Sequence, residues 1–269
     1  MKIAVAGATG RVGRPVVEIL EARGHEVVPI SRSTGVDLVT GHGLAEAMAG
    51  IASVIDVATG PSPEQEAATE FFMASAQNLL EAGQRAGVQR IVRVSIIGCD
   101  RFNGGYGAAM VAHEQALLAG PIPVRILRAA QFHEFIGQLV EWGTQGDVSY
   151  LQKMRIQPVS AKAVAEELVA RALDREWSPA SRPDEPILEI AGPREEELVD
   201  LAKRLVGWTG DPVRIEAVTD TADEVYDLHE EGGLLPGAGA KLAGPTFDEW
   251  LEATFGAPEQ RVRQTAGAN

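Results

Sequence analysis

Residues 1–32 read MKIAVAGATGRVGRPVVEILEARGHEVVPISR, and this stretch decides the fold. A short apolar run, residues 2–6, leads directly into a turn that contains three glycines. Apolar residues at helical spacing follow in residues 15–23, and Gly24 separates them from a second apolar run, residues 26–30. The order strand, glycine turn, helix and strand within about thirty residues is typical of a dinucleotide-binding unit.

Each glycine of the turn has its own physical task. Gly7 lets the chain turn sharply out of the first strand, and Gly10 leaves space where a pyrophosphate approaches the backbone. Gly13 lets the helix pack closely on the sheet, and the N–H groups at the helix start point at the phosphates. The alternative is a tight turn that binds no ligand. The residues predicted to bind the dinucleotide here are Gly7, Thr9, Gly10, Arg11, Val12 and Gly13.

The end of the second predicted strand bears on the identity of the cofactor. A carboxylate here would hydrogen-bond the ribose hydroxyls of NAD, but the chain has Ser31, Arg32 and Ser33. An arginine and two hydroxyls suit a 2′-phosphate, so NADP(H) is favoured while NAD(H) stays open. The alternative for Arg32 is a solvated surface arginine. Asp37 lies nearby and either contacts the adenine edge or faces water.

Composition excludes several classes of protein. A chain of 269 residues with 45% hydrophobic residues suits one large α/β domain with a small additional lobe. A formal net charge of −14 argues against a nucleic-acid partner and against an anionic membrane. No apolar run reaches the length of a membrane span, and we expect no signal peptide because Met1 leads directly into the first predicted strand. The single cysteine, Cys99, excludes an internal disulfide, so we expect a cytoplasmic protein.

Strand and helix patterns alternate along the rest of the chain. Further strands are predicted at residues 36–39, 53–57, 90–95, 124–128, 187–191 and 214–218. Further helices are predicted at residues 44–49, 63–86, 106–119, 161–175, 195–206 and 247–255, and residues 232–245 are predicted to be an irregular loop. This alternation predicts an α/β fold with a Rossmann-type, doubly wound parallel sheet.

The chain divides into three parts on this interpretation. Residues 1–155 form an NAD(P)-binding Rossmann domain, to which residues 156–192 add a helix and a last strand. Residues 193–256 form a small C-terminal substrate-binding lobe, and residues 257–269 form a flexible tail. Right-handed crossovers place the loops after the strands on one rim of the sheet. Further residues assigned to the cofactor crevice on that rim are Ala58, Thr59, Gly60, Ser95, Met110 and Ala130.

Several blocks together resemble a known family. The turn Gly7-Ala8-Thr9-Gly10-Arg11-Val12-Gly13 resembles the glycine motif of the extended and atypical short-chain dehydrogenase/reductases. The blocks that resemble the NmrA-like branch are Val94-Ser95-Ile96-Ile97-Gly98, Arg128-Ala129-Ala130-Gln131-Phe132, Gln157-Pro158-Val159, Leu188-Glu189-Ile190-Ala191-Gly192-Pro193, and Leu234-Leu235-Pro236-Gly237 with Gly244-Pro245-Thr246-Phe247. The resemblance covers nearly the whole chain. It implies a Rossmann domain whose C-terminal lobe closes the substrate pocket, and either an NAD(P)H-dependent reductase or a cofactor sensor without catalysis.

The resemblance also implies a catalytic pair, and the chain departs from it. In the superfamily a tyrosine donates a proton to the substrate oxygen, and a lysine four residues later lowers the pKa of that tyrosine and holds the nicotinamide ribose. Here Tyr106 is followed at that position by Met110, whose thioether carries no charge. Tyr106 is therefore either a pocket residue that binds substrate or an ordinary aromatic residue at a helix start.

Other residues complete the candidate site. His133 follows the strand that ends near Leu127, where the nicotinamide should lie, and histidine exchanges protons near neutral pH. The alternative for His133 is a hydrogen-bonded pocket or surface residue. The candidate catalytic residues are Tyr106, His133 and Ser95, and the candidate substrate-binding residues are Phe102, Tyr106, Phe132, His133, Phe135 and Trp142. The five histidines show no metal-ligand spacing, so no metal site is expected.

Two functions of different classes follow from these residues. The first is an NAD(P)H-dependent oxidoreductase that acts on a quinone or an aromatic or apolar carbonyl, with secondary-metabolite tailoring as one version. A quinone suits the missing lysine, because its reduced form is a delocalised anion that needs little help from an acid. The alternative is a catalytically inactive NADP(H)-binding redox sensor of the NmrA type. An isomerase or lyase that keeps its nicotinamide bound is a further reading. The sequence leaves the oligomeric state open, a homodimer included.

Overall fold

Strands and helices alternate through most of the chain in a computed structural model, which describes residues 1–174, 176–177, 185–219 and 224–257. The strands are β1 (Lys2–Ala6), β2 (Glu26–Ile30), β3 (Ser53–Asp56), β4 (Arg90–Ile96), β5 (Val124–Ala129), β6 (Thr144–Gln145), β7 (Val148–Gln152), β8 (Arg155–Ile156), β9 (Ile187–Ala191), β10 (Glu196–Glu197), β11 (Arg214–Val218) and β12 (Lys241–Leu242). The helices are α1 (Gly13–Ala22), α2 (Leu44–Ala47), α3 (Gln65–Ala86), α4 (Gly105–Ala119), α5 (His133–Gly143), α6 (Ala161–Ala172), α7 (Leu198–Thr209), α8 (Glu224–Glu230) and α9 (Phe247–Phe255).

The central sheet is of the Rossmann type. Within the described residues its seven strands are ordered β12-β9-β5-β4-β3-β1-β2. Strand β1 pairs in parallel with both β2 and β3, so the direction of winding reverses between β1 and β3. Ligands of open parallel sheets bind at such a switch point, beyond the carboxyl ends of the strands. Every residue of β3 is buried, as expected for a sheet covered on both faces. The predicted fold class is confirmed.

The chain forms two compact units, which differ from the predicted division. One unit contains residues 1–129 and 161–189, and the other contains residues 130–160 and the described part of 190–269. Residues 130–155, assigned to the Rossmann domain from the sequence, therefore group with the C-terminal residues. The reason is that α5 packs against α7 and that β7 pairs in parallel with β11. The predicted tail lies outside the described residues, except for Ala257.

Several stretches differ from the sequence-based prediction of secondary structure. Residues 36–39 form a turn instead of a strand, because Asp37 Oδ1 accepts hydrogen bonds from the N–H groups of Val39 (2.7 Å) and Thr40 (3.1 Å). The predicted loop at 232–245 contains β12, which pairs with Ile190 and Ala191 and is too short to leave a sequence pattern. The segment that forms α5, β6 and β7 carried no prediction. In the part of the chain that the structure describes, no helix is long and apolar enough to cross a membrane.

Candidate functional site

The glycine turn joins β1 to α1 and is held by close backbone contacts. Gly7 has a φ of +79°, and its carbonyl oxygen accepts a hydrogen bond from the N–H of Gly10 at 3.0 Å. A Cβ added to Gly13 would lie 2.0 Å from that same oxygen, so only glycine fits at this position. Gly7 thus makes the sharp turn that the sequence predicts. Gly13 allows the close approach predicted for it, although its near contact is with the turn itself.

The start of α1 suits an anionic group. No side chain caps this helix end, and its first turn contains no acidic residue. The field of the helix dipole and the N–H groups of the first turn therefore face no competing carboxylate of their own helix. The guanidinium of Arg14 donates to the carbonyl oxygen of Thr9 at 2.9 Å, which fixes the turn to the helix.

A cleft of about 530 Å³ lies where β1, β2 and β3 end. The predicted cofactor residues that line it are Gly7, Thr9, Gly10, Ser31, Arg32, Ser33, Asp37, Ala58 and Thr59. The lining residues that sequence reasoning missed are Ile30, Val36, Leu38, Val39, Val57, Pro61 and Phe71. The cleft therefore combines a glycine turn and a polar rim with apolar walls, the mixture that a dinucleotide needs for its phosphates and its adenine.

The polar rim is preorganised by hydrogen bonds among neighbouring residues. The hydroxyl oxygens of Ser31 and Ser33 lie 2.9 Å apart, and Thr34 Oγ1 accepts from the Ser31 N–H at 3.0 Å. Arg32 begins the short 3-10 turn that carries these residues, and its side chain is exposed. Asp37 lies on the same rim, but its Oδ1 is bound to the backbone N–H groups of the following turn.

A helix residue absent from the sequence-based site supports one wall of the cleft. The side-chain amide of Asn78, in α3, donates to the carbonyl oxygens of Leu38 and Val39, both at 2.8 Å. These two residues line the cleft, so Asn78 fixes the position of this wall. Forty residues separate the partners, and the sequence carries no local signal of the contact.

Some predicted cofactor residues lie outside the lining of the cleft, namely Arg11, Val12, Gly13, Gly60, Ser95, Met110 and Ala130. Met110 is 3% exposed and packs in an apolar cluster with Ala68, Phe72, Cys99 and Ala109. It is therefore buried in the core of the first unit, and its assignment as a cofactor contact stays a prediction. Ser95 is buried, with its hydroxyl 3.9 Å from the Cys99 Sγ. Ala130 belongs to the second unit.

Tyr106 begins α4 and packs against an aromatic core residue. Its ring meets the ring of Phe72 edge-on, with 5.7 Å between the centroids. Burial raises the pKa of Tyr106, and the positive charge of Arg93 opposes this rise only in part. The phenol therefore keeps its proton at neutral pH, so it can donate a hydrogen bond but is a poor proton relay.

His133 begins α5 and is enclosed within the second unit. It is 1% exposed, its Nε2 lies 3.1 Å from the carbonyl oxygen of Pro245, and its ring lies 5.4 Å from that of Phe247 and 5.6 Å from that of Trp250. Burial lowers the pKa of His133 to about 4, so the imidazole is neutral at pH 7. In this conformation His133 joins α5 to the segment that begins α9, and the catalytic role assigned to it stays a prediction.

The aromatic residues proposed to bind substrate divide between the two units. Phe102 and Tyr106 belong to the first unit, whereas Phe132, His133, Phe135 and Trp142 belong to the second. Within the second unit, the rings of Phe135 and Trp142 meet edge-on at 5.5 Å, and Trp142 is 61% exposed. The assignment of these residues to substrate stays a prediction.

A buried polar cluster lies behind the cleft, and it consists of Asp56, Arg93 and His113. All three side chains are 1% exposed. Arg93 Nη1 lies 3.2 Å from Asp56 Oδ1, and His113 Nε2 lies 3.8 Å from Asp56 Oδ2. The His113 ring stacks on Phe72 at 4.9 Å, and burial lowers the pKa of His113 to about 2. The sequence gives no sign of this cluster, because its members come from β3, β4 and α4.

Comparison with known proteins agrees with this geometry. Residues 7–129 match the model of the family described as NAD(P)H-binding. The matched segment is somewhat less than half of the chain, so residues 7–129 are similar to that family. The matched segment begins at Gly7 and ends with β5, so it contains the glycine motif and agrees with the predicted NAD(P)-binding unit.

One curated relative is a 3-beta-hydroxysteroid dehydrogenase of Mycolicibacterium neoaurum, which is 35% identical over 112 residues. The match covers 34% of this chain and 31% of that dehydrogenase, so it spans about a third of each protein.

Solved structures resemble nearly the whole chain. A short-chain dehydrogenase/reductase superfamily protein from Agrobacterium tumefaciens with bound NAD has a TM-score of 0.67 at 18% identity, and the match covers 99% of both chains. MoeE5 in complex with UDP-glucose and NAD has a TM-score of 0.69 at 19% identity, with 98% of this chain and 100% of that chain covered. A nucleoside-diphosphate-sugar epimerase from Staphylococcus aureus has a TM-score of 0.68 at 16% identity, with 94% and 100% covered. At these identities the likeness shows a shared fold.

Proposed function

We propose that the protein is an NADP(H)-dependent oxidoreductase that acts on a quinone or on an aromatic or apolar carbonyl. The observation that carries the proposal is the cleft at the switch point, where Gly7 and Gly10 face a rim made by Ser31, Arg32 and Ser33. When bound, the nicotinamide supplies or accepts a hydride. The glycine turn and the start of α1 would hold the pyrophosphate, and the apolar wall at Val36 and Leu38 would hold the adenine.

The rim favours the phosphorylated cofactor. Arg32 is exposed beside two hydroxyls, and a guanidinium makes strong charge-assisted hydrogen bonds to phosphate. The nearby carboxylate of Asp37 has one oxygen engaged by two backbone N–H groups of its own turn. It is therefore less free to accept the ribose hydroxyls of NAD. Both features support NADP(H) over NAD(H).

The environment of Tyr106 supports a substrate that needs little acid catalysis. The position four residues later holds Met110 in an apolar cluster, and burial keeps Tyr106 protonated. Reduction of a quinone takes one hydride and one proton, and the hydroquinone anion is stable enough to collect that proton from water. The name of the Mycolicibacterium neoaurum relative, a steroid dehydrogenase, supports an apolar substrate.

Steady-state oxidation of NADPH with a panel of quinones and aromatic ketones tests the proposal. We expect quinone-dependent oxidation that is faster with NADPH than with NADH. The Gly10→Val variant serves as the control, because quinones also oxidise NADPH slowly without an enzyme. Absence of turnover above this control, with NADPH binding intact, would contradict the assignment as an oxidoreductase.

A redox sensor is the second candidate, and the surroundings of Met110 favour it. An apolar residue at this position supplies neither a charge for Tyr106 nor a donor for the nicotinamide ribose. A protein that binds NADPH and NADP⁺ with different affinities, but turns neither over with any acceptor, would fit this reading. Calorimetry with each cofactor, beside the oxidation assay, separates the sensor from the enzyme.

A further inference from the structure

Ala58 lies at a point where two walls of the cleft touch. A Cβ added to Gly7 would lie 2.8 Å from both the Cα and the N of Ala58, so the two backbones are in direct contact. Both residues line the cleft. A shift of the Ala58 peptide would therefore change the cleft directly beside the glycine turn.

Two buried charges hold the polar groups on either side of Ala58. The Ala58 N–H donates to Asp56 Oδ1 at 3.1 Å, and Arg93 Nη1 donates to the Ala58 carbonyl oxygen at 2.8 Å. The ion pair between Asp56 and Arg93 connects these two contacts, and both side chains are 1% exposed. The backbone of Ala58 is thus held at both its donor and its acceptor by side chains of opposite charge.

Stability alone gives a poor account of this pair. Burying two charges is costly, and apolar residues of similar size often serve a fold equally well. The arrangement is explained if Asp56 and Arg93 serve to hold the backbone of Ala58 in position.

We propose that Asp56 and Arg93 are positioning residues for the dinucleotide, which they act on through the backbone of Ala58. The inference rests on the proposed function for the nature of the ligand. His113 supports the pair from behind, because its ring stacks on Phe72 and its Nε2 faces the second oxygen of Asp56. None of the three side chains lines the cleft, so their effect on the cofactor is indirect.

The first compact unit also contains a buried ion pair that serves as a matched control. Arg128 forms a two-point ion pair with Glu114, at 3.0 Å and 2.7 Å, and both side chains are buried. Neither residue lines the cleft or bonds to Ala58. Removal of this pair should affect stability in the way that removal of the first pair does, without moving the cleft wall.

The test measures NADPH affinity by calorimetry and unfolding by urea for two double variants. Asp56→Leu/Arg93→Met should raise the dissociation constant for NADPH by about tenfold or more, since both hydrogen bonds to Ala58 are lost. Glu114→Leu/Arg128→Met should change it by less than about twofold, whatever its effect on stability. Arg93→Lys keeps a charged donor, so it should retain most of the NADPH affinity that Arg93→Met loses.

The outcomes distinguish failure of this inference from failure of the proposed function. Equal changes in affinity for both double variants, or no change in either, would overturn the inference while the proposed function stands. If Asp56→Leu/Arg93→Met fails to fold, Asp56→Glu tests the inference in its place. This variant keeps the ion pair with Arg93 but moves the carboxylate away from the Ala58 N–H. Unchanged affinity in Asp56→Glu would overturn the inference. Failure of the unsubstituted protein to bind NADPH or NADH would overturn the proposed function and the inference with it.

Discussion

At the scale of single residues, the glycines of the turn separate binding from folding. A Cβ on Gly10 would meet only the Gly7 carbonyl oxygen, at 3.2 Å, whereas a Cβ on Gly13 would lie 2.0 Å from it. We therefore expect Gly10→Val to fold and to lose NADPH binding, because its branched side chain would occupy the pyrophosphate position. Gly13→Ala should instead lower the melting temperature. Calorimetry and thermal unfolding check the two variants, and unchanged NADPH affinity in Gly10→Val would refute the binding role of the turn.

Arg32 is the residue on which cofactor selectivity depends. Loss of the Arg32 side chain should weaken NADPH binding by roughly 1.5–3 kcal/mol, the range of a charge-assisted contact to a phosphate. The affinity for NADH should stay nearly unchanged. Arg32→Ala should thus raise the dissociation constant for NADPH by about ten- to a hundredfold. Arg23→Ala, an exposed arginine at the far end of α1, is the control. Equal losses for NADPH and NADH would show that Arg32 does not contact the 2′-phosphate.

Tyr106 tests whether the superfamily mechanism operates in this chain. Burial raises its pKa, and Met110 supplies no charge to lower it. We expect Tyr106→Phe to reduce quinone turnover by less than about tenfold, against the roughly 10²–10⁴ expected when a working general acid is lost. Steady-state kinetics with saturating NADPH check this. A loss of several hundredfold at intact cofactor affinity would restore Tyr106 as the catalytic acid.

At the scale of elements, the packing of α4 against α3 determines what position 110 can hold. Met110 lies among Ala68, Phe72, Cys99 and Ala109 at the contact between these helices. An ammonium there would be buried among apolar side chains, so Met110→Lys should destabilise the protein by about 2–5 kcal/mol at pH 7. Met110→Leu should cost less than about 1.5 kcal/mol. Equal stability of the two variants in urea would show that α4 can move enough to expose the lysine.

The sequence predicts elements well where a local pattern specifies them. Residues 1–32 combine apolar runs with Gly7, Gly10 and Gly24, and the structure contains β1, α1 and β2 within this stretch. The apolar residues at 36–39 predict a strand, but the structure has a turn there, because Asp37 Oδ1 accepts hydrogen bonds from the two N–H groups that follow it. The support from Asn78 and the buried polar cluster were missed for a different reason. Their contacts join residues far apart in the chain, and no local pattern encodes such a meeting.

At the scale of the whole molecule, each unit has its own buried histidine, and each is neutral at pH 7. The pKa is lowered to about 4 for His133 and to about 2 for His113, in both cases mainly by burial. In the unfolded chain both side chains have a pKa near 6.5. The unfolded chain therefore takes up protons at a pH where the folded protein does not, and acid favours unfolding.

This difference predicts how stability depends on pH. Above pH 6.5 neither histidine makes the free energy of unfolding depend on pH. As the pH falls from 6.5 towards 4, each should lower the free energy of unfolding by up to about 1.4 kcal/mol per pH unit, and the effect of His113 continues below pH 4. Urea unfolding between pH 7 and pH 4.5 measures the slope, which His133→Gln should reduce because a glutamine amide does not titrate. The exposed His42 gives the control variant, His42→Gln. An unchanged slope in a His113→Gln/His133→Gln double variant would show that other groups cause the acid sensitivity.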